Sequence, residues 1–449
     1  MQTDVYAQGL ASKIPPLDLY FDGRTTAIWQ DGNQLTRAGL LDRASHLAKQ
    51  LSAQGRSRVA TASNRADTVA AAILASKQAH CEIVLLREMP RDLARLEQWG
   101  VSAQVDDELE LQPVSENAAA ATDGFNILIT TSGTTGEPKL VRHRLEGLLG
   151  RIRPRPEDRP PARWMLSYHP ATFAGLQVLL TALVSGDELI ASSDFSVKAL
   201  TNSALEFPPT HISATPTFWR NMLVAGGNSL SRLPLVQLTL GGEVADQPTL
   251  DRLKAAFPTG GITHIYATTE AGALFAVKDC RAGFPSEWLN NGIDGVRLRI
   301  VDGVLEVHSP RVMAGYVESK AKNPFTADGW LRTGDIVRAE NDRVYFVGRA
   351  DSIISIGGAK VIPEEVEGFL LEMPGILDCR VFGVRNVITG YVIAADIVTQ
   401  AQDLDTFRKS IRDALMPRLE RYKVPRIINF VDSLEGSQSG KKKRINGET

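Results

Sequence analysis

The segment Phe125-Asn126-Ile127-Leu128-Ile129 followed by Thr130-Thr131-Ser132-Gly133-Thr134-Thr135-Gly136-Glu137-Pro138-Lys139 constrains this chain more than any other. So short an apolar run reads as a buried strand, and the glycines and hydroxyls at its carboxyl end read as the loop it delivers. Gly133 and Gly136 carry no Cβ, so the backbone can approach an anion closely. Successive N–H groups, with the hydroxyls of Ser132, Thr134 and Thr135, can form an anion-binding concavity. Lys139 adds a point charge. The expected guest is the polyphosphate of a nucleoside triphosphate, so the chain reads as an enzyme that consumes one. The spacing is not that of the Walker loop: Thr134 and Thr135 alone separate the glycines, and Pro138 precedes the lysine.

At 449 residues the chain exceeds the ~250–300 at which a single core stops growing, so at least two domains are expected. A formal net charge of −2 argues against a nucleic-acid binder held by phosphate contacts. Cys81, Cys280 and Cys379 are odd in number and far apart, which suits a reducing compartment better than a disulfide framework or a zinc site. The amino terminus, Met1-Gln2-Thr3-Asp4-Val5-Tyr6, has no basic segment followed by an apolar one. Gln177 and Thr181 interrupt the longest apolar run, Phe173 to Val184, which falls short of the ~20 residues that span a bilayer. The expectation is a soluble, cytoplasmic protein without membrane insertion.

Periodicity divides the chain. Leu40, Leu41, Ala44, Leu47, Ala48 and Leu51 recur at helical spacing, and strand-like pieces at 58–60 and 82–86 flank an Ala-rich helix at 67–79. The middle third repeats this cadence, with strands expected at 163–167, 188–190, 211–214, 237–240 and 262–265, and helices at 172–185 and 217–225. Such βαβ alternation predicts a partly parallel sheet. From about 295 the pattern changes to short alternating strands at 297–301, 304–307 and 343–347, which read as an antiparallel region. The last stretch predicts helices at 364–372 and 403–420 around strands at 378–384 and 391–397. The fold class is therefore α/β: βαβ-type sheets plus a β-rich subdomain, then a small α+β unit.

Further segments carry chemistry. Gly241-Gly242-Glu243 follows an apolar strand, and Tyr266-Ala267-Thr268-Thr269-Glu270 ends another with a carboxylate. Asp328-Gly329-Trp330-Leu331-Arg332-Thr333-Gly334-Asp335 ends in an aspartate, and Gly348-Arg349-Ala350-Asp351 leads to Gly357-Gly358. Tyr422-Lys423-Val424-Pro425-Arg426 and Gly440-Lys441 close the series. In this order, the motifs resemble those of the adenylate-forming superfamily of acyl-CoA synthetases, nonribosomal adenylation domains and firefly luciferase, over almost the whole chain.

That resemblance implies a reaction in which a carboxylate attacks the α-phosphate of ATP, releases pyrophosphate and leaves an acyl-adenylate. A phosphopantetheine thiol, of CoA or an acyl carrier protein, then takes the acyl group. Two anions must meet, so positioning and charge neutralisation carry the catalysis. By resemblance, Thr131 to Gly136 and Lys139 hold the β- and γ-phosphates, while Glu270 and Thr131 place Mg²⁺, a cation suited to oxygen ligands. Gly241, Gly242 and Glu243 line the adenine, together with Tyr266 and Thr269 nearby. Asp335 accepts from the ribose hydroxyls, Arg349 contacts ribose or phosphate, and His169 gates the acyl pocket. Lys441 bridges carboxylate and α-phosphate. Residues 1–350 form the N-terminal AMP-binding domain, residues 351–449 a mobile C-terminal domain, and Asp351 the hinge. The turn at Gly357-Gly358 swings inward for thiol transfer.

The chain departs from the family pattern at Ala267, where relatives usually have glycine, at Leu140, which replaces the glycine after Pro138-Lys139, and at Ser355, where many have lysine. Segments 168–176, 211–220 and 266–274 are expected to line the acyl pocket through Phe173, Ala174, Gly175, Phe218, Trp219, Ala271, Gly272 and Leu274. No Asp or Glu occurs from 168 to 180 to pair an α-ammonium, and a buried unpaired charge is costly. An aromatic or short-to-medium acyl acid is therefore expected, not an amino acid. Two alternatives stay open: an adenylation enzyme serving only a carrier protein, and a non-catalytic nucleotide-binding member of the family.

Overall fold

The computed structural model of the chain describes residues 26–115, 124–131, 138–156, 158–317 and 323–434. Two large mixed sheets dominate. The first orders its strands Gly272–Val277, Gly261–Thr268, Gln237–Gly241, His211–Ala214, Arg163–Leu166, Glu188–Ala191, Thr26–Gln30 and Asn33–Thr36, parallel except at its two edges. The second runs Gly315–Tyr316, Lys139–Arg144, Asn126–Thr131, Glu82–Leu85, Arg58–Thr61, Ala103–Val105 and Leu111–Pro113, with a parallel centre.

Helices Arg37–Ala53, Ala66–Gln78 and Phe173–Ser185 share one apolar core with strands of both sheets. The expected Ala-rich helix explains itself here. Every residue from Ala66 to Ser76 is buried, and the alanines among them let the helix sit that deep without forcing its neighbours apart. Parallel strands covered on both faces also explain the continuous apolar runs.

The β-rich region is an antiparallel sheet ordered Phe284–Pro285, Arg343–Arg349, Leu331–Glu340, Val304–His308 and Arg297–Val301. The small C-terminal domain pairs Ile376–Asn386 with Gly390–Thr399 and adds Ile427–Phe430 in parallel. Helices Pro363–Leu371 and Leu404–Leu415 complete it, and its buried apolar cluster draws only on residues 354–428.

The expected helix 403–420 stops at Leu415 because Pro417 has no N–H to donate and crowds the preceding turn. Periodicity missed the hairpin of Thr26–Gln30 with Asn33–Thr36, although Asp31-Gly32 is a turn signal. Both residues have positive φ, 50° and 80°. The strand Lys139–Arg144 also gave no periodic signal, because Lys139, Arg142, His143 and Arg144 interrupt the apolar alternation.

Candidate active site

A single cavity of about 2770 Å³ opens at the carboxyl ends of the parallel strands and extends between the two domains. That is the expected crevice for a ligand in an open α/β sheet, and it exceeds the usual ~300–1,000 Å³ of a one-ligand pocket.

Its phosphate side is built by the strand Asn126–Thr131, whose Ile127, Leu128 and Ile129 are fully buried. This anchors the stem of the glycine-rich loop: Thr131 lies directly opposite Lys139 in the antiparallel ladder. Ser132, Gly133, Thr134, Thr135 and Gly136 lie outside the described residues. Arg95 donates to the Pro138 carbonyl at 3.0 Å and so fixes the loop's exit. Lys139 Nζ stands 5.3 Å above the ring of Tyr316, whose hydroxyl donates to Glu270 Oε1 at 3.3 Å. Tyr316 thus joins the expected phosphate lysine to the expected metal carboxylate, and Thr131, Lys139, Glu270 and Tyr316 all line the cavity. Sequence reasoning overlooked Tyr316.

The nucleoside side is a chain of polar contacts. Asp335 and Arg349 face one another on adjacent strands, and Arg349 Nη1 donates to Asp335 Oδ1 at 3.1 Å. The Tyr266 hydroxyl donates to Asp335 Oδ2, and its ring lies against Phe275 and Phe346, with centroids 5.2 and 4.7 Å away. Arg349 also forks onto Asp351, at 3.0 and 3.2 Å. Burial and the neighbouring Asp335 carboxylate hold the Tyr266 phenol well above its ordinary range, so it stays a donor. Burial acts to lower the Arg349 pKa, but Asp351 and Asp335 outweigh it and raise it. A carboxylate offers about four lone-pair positions, so Asp335 can still accept from vicinal hydroxyls.

Gly241 and Gly242 follow the strand Gln237–Gly241, with Gly242 at φ +82°. The Tyr168 hydroxyl donates to the Gly241 carbonyl at 3.2 Å. Glu243 accepts from the Thr217 N–H at 3.0 Å, so one of its oxygens caps the helix Pro216–Gly226. Thr269 lines the cavity beside Glu270.

His169 is a correction. It is fully buried, its Nε2 bonds Asn64 Oδ1 at 2.8 Å, and its Nδ1 accepts from the Ala171 N–H at 3.1 Å. With both nitrogens engaged and burial holding it down to about 4, the ring braces the turn before the helix Phe173–Ser185 and is no gate. Gly175 seals that turn: a Cβ there would meet the His169 carbonyl at 2.1 Å. The cavity wall is made instead by Tyr168, Thr172, Phe173 and Ala174, with Ala267 and Ala273 opposite. Phe218, Trp219, Ala271 and Leu274 are buried in the cores behind it, and Trp219 donates its indole N–H to the Thr239 carbonyl at 3.0 Å.

One contact between the domains carries no sequence signal. Arg220 and Asp378, with side chains 3% and 1% exposed, pair at 2.9 Å, and Arg220 also reaches Asp246 at 3.0 Å. Burial acts to lower the Arg220 pKa, but the two carboxylates raise it above its ordinary range. Arg252 adds bonds to the carbonyls of Ile376 and Leu377, at 2.9 and 3.2 Å. The turn Gly357-Gly358 closes the hairpin Ile354–Ile356 with Ala359–Val361, and neither glycine lines the cavity. Lys441 lies outside the described residues.

The chain matches the family model for AMP-binding enzymes over residues 56–317 and that for the AMP-binding enzyme C-terminal domain over 365–441. It is 29% identical to a probable 2-succinylbenzoate–CoA ligase of Mycobacterium tuberculosis, over 71% of this chain and 82% of the relative. A sulfoacetate–CoA ligase of Cupriavidus necator is 29% identical over 80% of this chain and 74% of its own. Among solved structures, an anthranilate CoA ligase bound to anthranoyl-AMP shares the fold, with a TM-score of 0.76, 18% identity, and coverage of 98% and 95%.

Proposed function

The chain belongs to the AMP-binding enzyme family, and from that premise we propose that it is an AMP-forming acid–thiol ligase for an aromatic or short-to-medium acyl acid. The carrying observation is that one cavity holds both a Lys139–Tyr316–Glu270 cluster and a Tyr266–Asp335–Arg349 chain. The first suits a triphosphate, the second a ribose.

The polar chain orients the nucleoside through Asp335, with Gly241 and Gly242 flanking the base. Lys139 and the loop before it neutralise the pyrophosphate as it leaves. One carboxylate and one hydroxyl, Glu270 and Thr131, fit a Mg²⁺ that keeps waters and takes its other oxygens from phosphate. When bound, that ion neutralises phosphate charge. The acid is already ionised at neutral pH and needs no general base. Lys441 would then join its carboxylate to the α-phosphate, from a C-terminal domain that begins at the Asp351 hinge. CoA is the thiol favoured, with a carrier protein as the alternative, and the cytoplasm is the setting that suits Cys81, Cys280 and Cys379.

The relatives' names point to acids as different as 2-succinylbenzoate and sulfoacetate, so acyl preference must come from this chain's own wall. Phe173, Ala174, Ala267 and Ala273 make it apolar and open to a flat ring. A hydroxamate and pyrophosphate-release screen of carboxylic acids, with and without CoA, tests this reading. Turnover of amino acids but not of aryl or aliphatic acids would overturn it.

A further inference from the structure

The strand Gly272–Val277 is an edge of the first sheet and supplies Ala273 to the acyl wall. Its pairing with Gly261–Thr268 is irregular. Tyr266 lies opposite Phe275 and Ala267 opposite Ala273, so Leu274 is an extra residue, a β-bulge. The bulge separates two parts of the site. On one side, Ala267 and Ala273 line the cavity where the acid is proposed to lie. On the other, Phe275 lies against Tyr266, the ring that bonds Asp335.

A bulge leaves backbone groups outside the ladder, and buried ones need partners. Two arginines supply them. Arg311 Nε donates to the Ala273 carbonyl at 2.9 Å, and its Nη2 to the carbonyls of Leu274 and Asp294, both at 3.0 Å. Arg151 Nη1 donates to the same Leu274 carbonyl at 2.7 Å and pairs with the Asp294 carboxylate at 2.7 Å. Arg311 is buried, and these bonds of its guanidinium all go to main chain. Burial and the adjacent Arg151 push it down to about 10, so it stays charged at neutral pH. The backbone closes in as tightly. Gly272 has φ +75°, and a Cβ there would meet the Arg311 carbonyl at 2.4 Å. The Met313 N–H donates to the Glu270 carbonyl at 2.9 Å, so residues 311–313 run along the free edge of the wall strand.

We propose that Arg311, with Arg151 beside it, is a positioning residue that holds the bulge at Leu274 and thereby sets the size limit of the acyl pocket. A wall fixed at Ala267 and Ala273 rejects an acid one methylene too long, whereas a wall free to shift admits it. This rests on the ligase reading and adds to it the origin of size selectivity.

The test measures kcat/KM for linear acids from acetate to decanoate, and for benzoates with para-alkyl groups of growing length. The wild type, Arg311→Met, Arg311→Lys and Arg151→Met are compared, with KM for ATP alongside. One methylene beyond the wild-type limit should cost about tenfold. Arg311→Met keeps an apolar stem but no donor, and should bring that step to within about twofold while KM for ATP also stays within about twofold. Arg311→Lys, which can hold one carbonyl, should restore part of the step. Arg151 is partly exposed, so Arg151→Met keeps the test decisive where Arg311→Met folds poorly. It should soften the step in the same direction. An unchanged step in both Met variants overturns the inference and leaves the ligase reading intact. So do equal rises in KM for acid and ATP, which would make the clamp a matter of general stability. Turnover of no acid by the wild type would remove the ligase reading itself, and the inference with it.

Discussion

Removing the Asp378 carboxylate should loosen the C-terminal domain by about two orders of magnitude. The pair it makes with Arg220 is 2.9 Å long, with both side chains almost wholly buried. Breaking such a pair generally costs about 3–5 kcal/mol, because the remaining charge stays desolvated without its partner. Arg220 keeps Asp246 at 3.0 Å and the hydroxyls of Thr217 and Thr249. The lower end therefore applies, about 3 kcal/mol for Asp378→Ala, or roughly a hundredfold. Arg220 belongs to the helix Pro216–Gly226 and Asp378 to the strand Ile376–Asn386, so the cost falls on docking and not on either core. Small-angle scattering of the ligand-free protein reads the undocked fraction directly. A double-mutant cycle with Arg220→Met isolates the pair from the Cys379 N–H bond that Asp378 also accepts, at 3.0 Å. A coupling energy below about 0.5 kcal/mol, the usual error of additivity, refutes the reasoning. So does a lowered melting temperature with unchanged scattering, which would place the role of Asp378 within its own domain.

Lys441→Ala should abolish adenylate formation, read as pyrophosphate release, yet spare thioester formation from a preformed acyl-adenylate; equal loss in both half-reactions would contradict the assignment. Burial depresses His143 and His169 from 6.5 to about 4. The unfolded chain therefore takes up protons that the folded chain refuses, and stability falls as pH drops from about 6.5 to 4. At pH 5 each histidine should cost about 2 kcal/mol, so His143→Phe should flatten the pH dependence of urea midpoints; a parallel profile would argue against a neutral buried ring. Arg349→Lys should weaken ATP binding more than acid binding, because an ammonium cannot fork between Asp335 and Asp351 as the guanidinium does. Equal changes in the two KM values would place Arg349 outside the nucleotide site.

Much of this site could be read from the sequence because its determinants are local. A strand that ends in glycines and hydroxyls, an Asp after a Thr-Gly turn, and a Thr-Thr-Glu after a Tyr each announce themselves within a few residues. The βαβ alternation is equally local, and so was legible. The helix expected over 403–420 stops at Leu415 because a single residue, Pro417, cannot continue it. What stayed hidden depends on register or on distance. His169 looked like a gate because an imidazole beside an apolar segment can serve either role, and only the bonds to Asn64 and Ala171 decide between them. Tyr316 gained its place because Gly315–Tyr316 pairs with the far edge of the second sheet, next to Val141 and Arg142. His143 lies in a strand whose polar residues break the alternation by which a strand is recognised.

The charged contacts around Asp335 and Arg220 tie the candidate nucleotide site to the C-terminal domain. Asp335 is held by Tyr266 on one side and by Arg349 on the other, and Arg349 is itself shared with Asp351 at the expected hinge. Ribose hydroxyls would take lone-pair positions on Asp335 beside those that Tyr266 and Arg349 already use. On the opposite side, Gly241-Gly242 continues into Glu243, which caps the helix of Arg220, and then to Asp246, which pairs with Arg220 itself. Arg220 in turn grips Asp378 across the domain boundary. With ribose at Asp335 and base at Gly241-Gly242, as proposed, each would neighbour a charge linked to the C-terminal domain. A ligand shifts a conformational equilibrium only through such differential contacts.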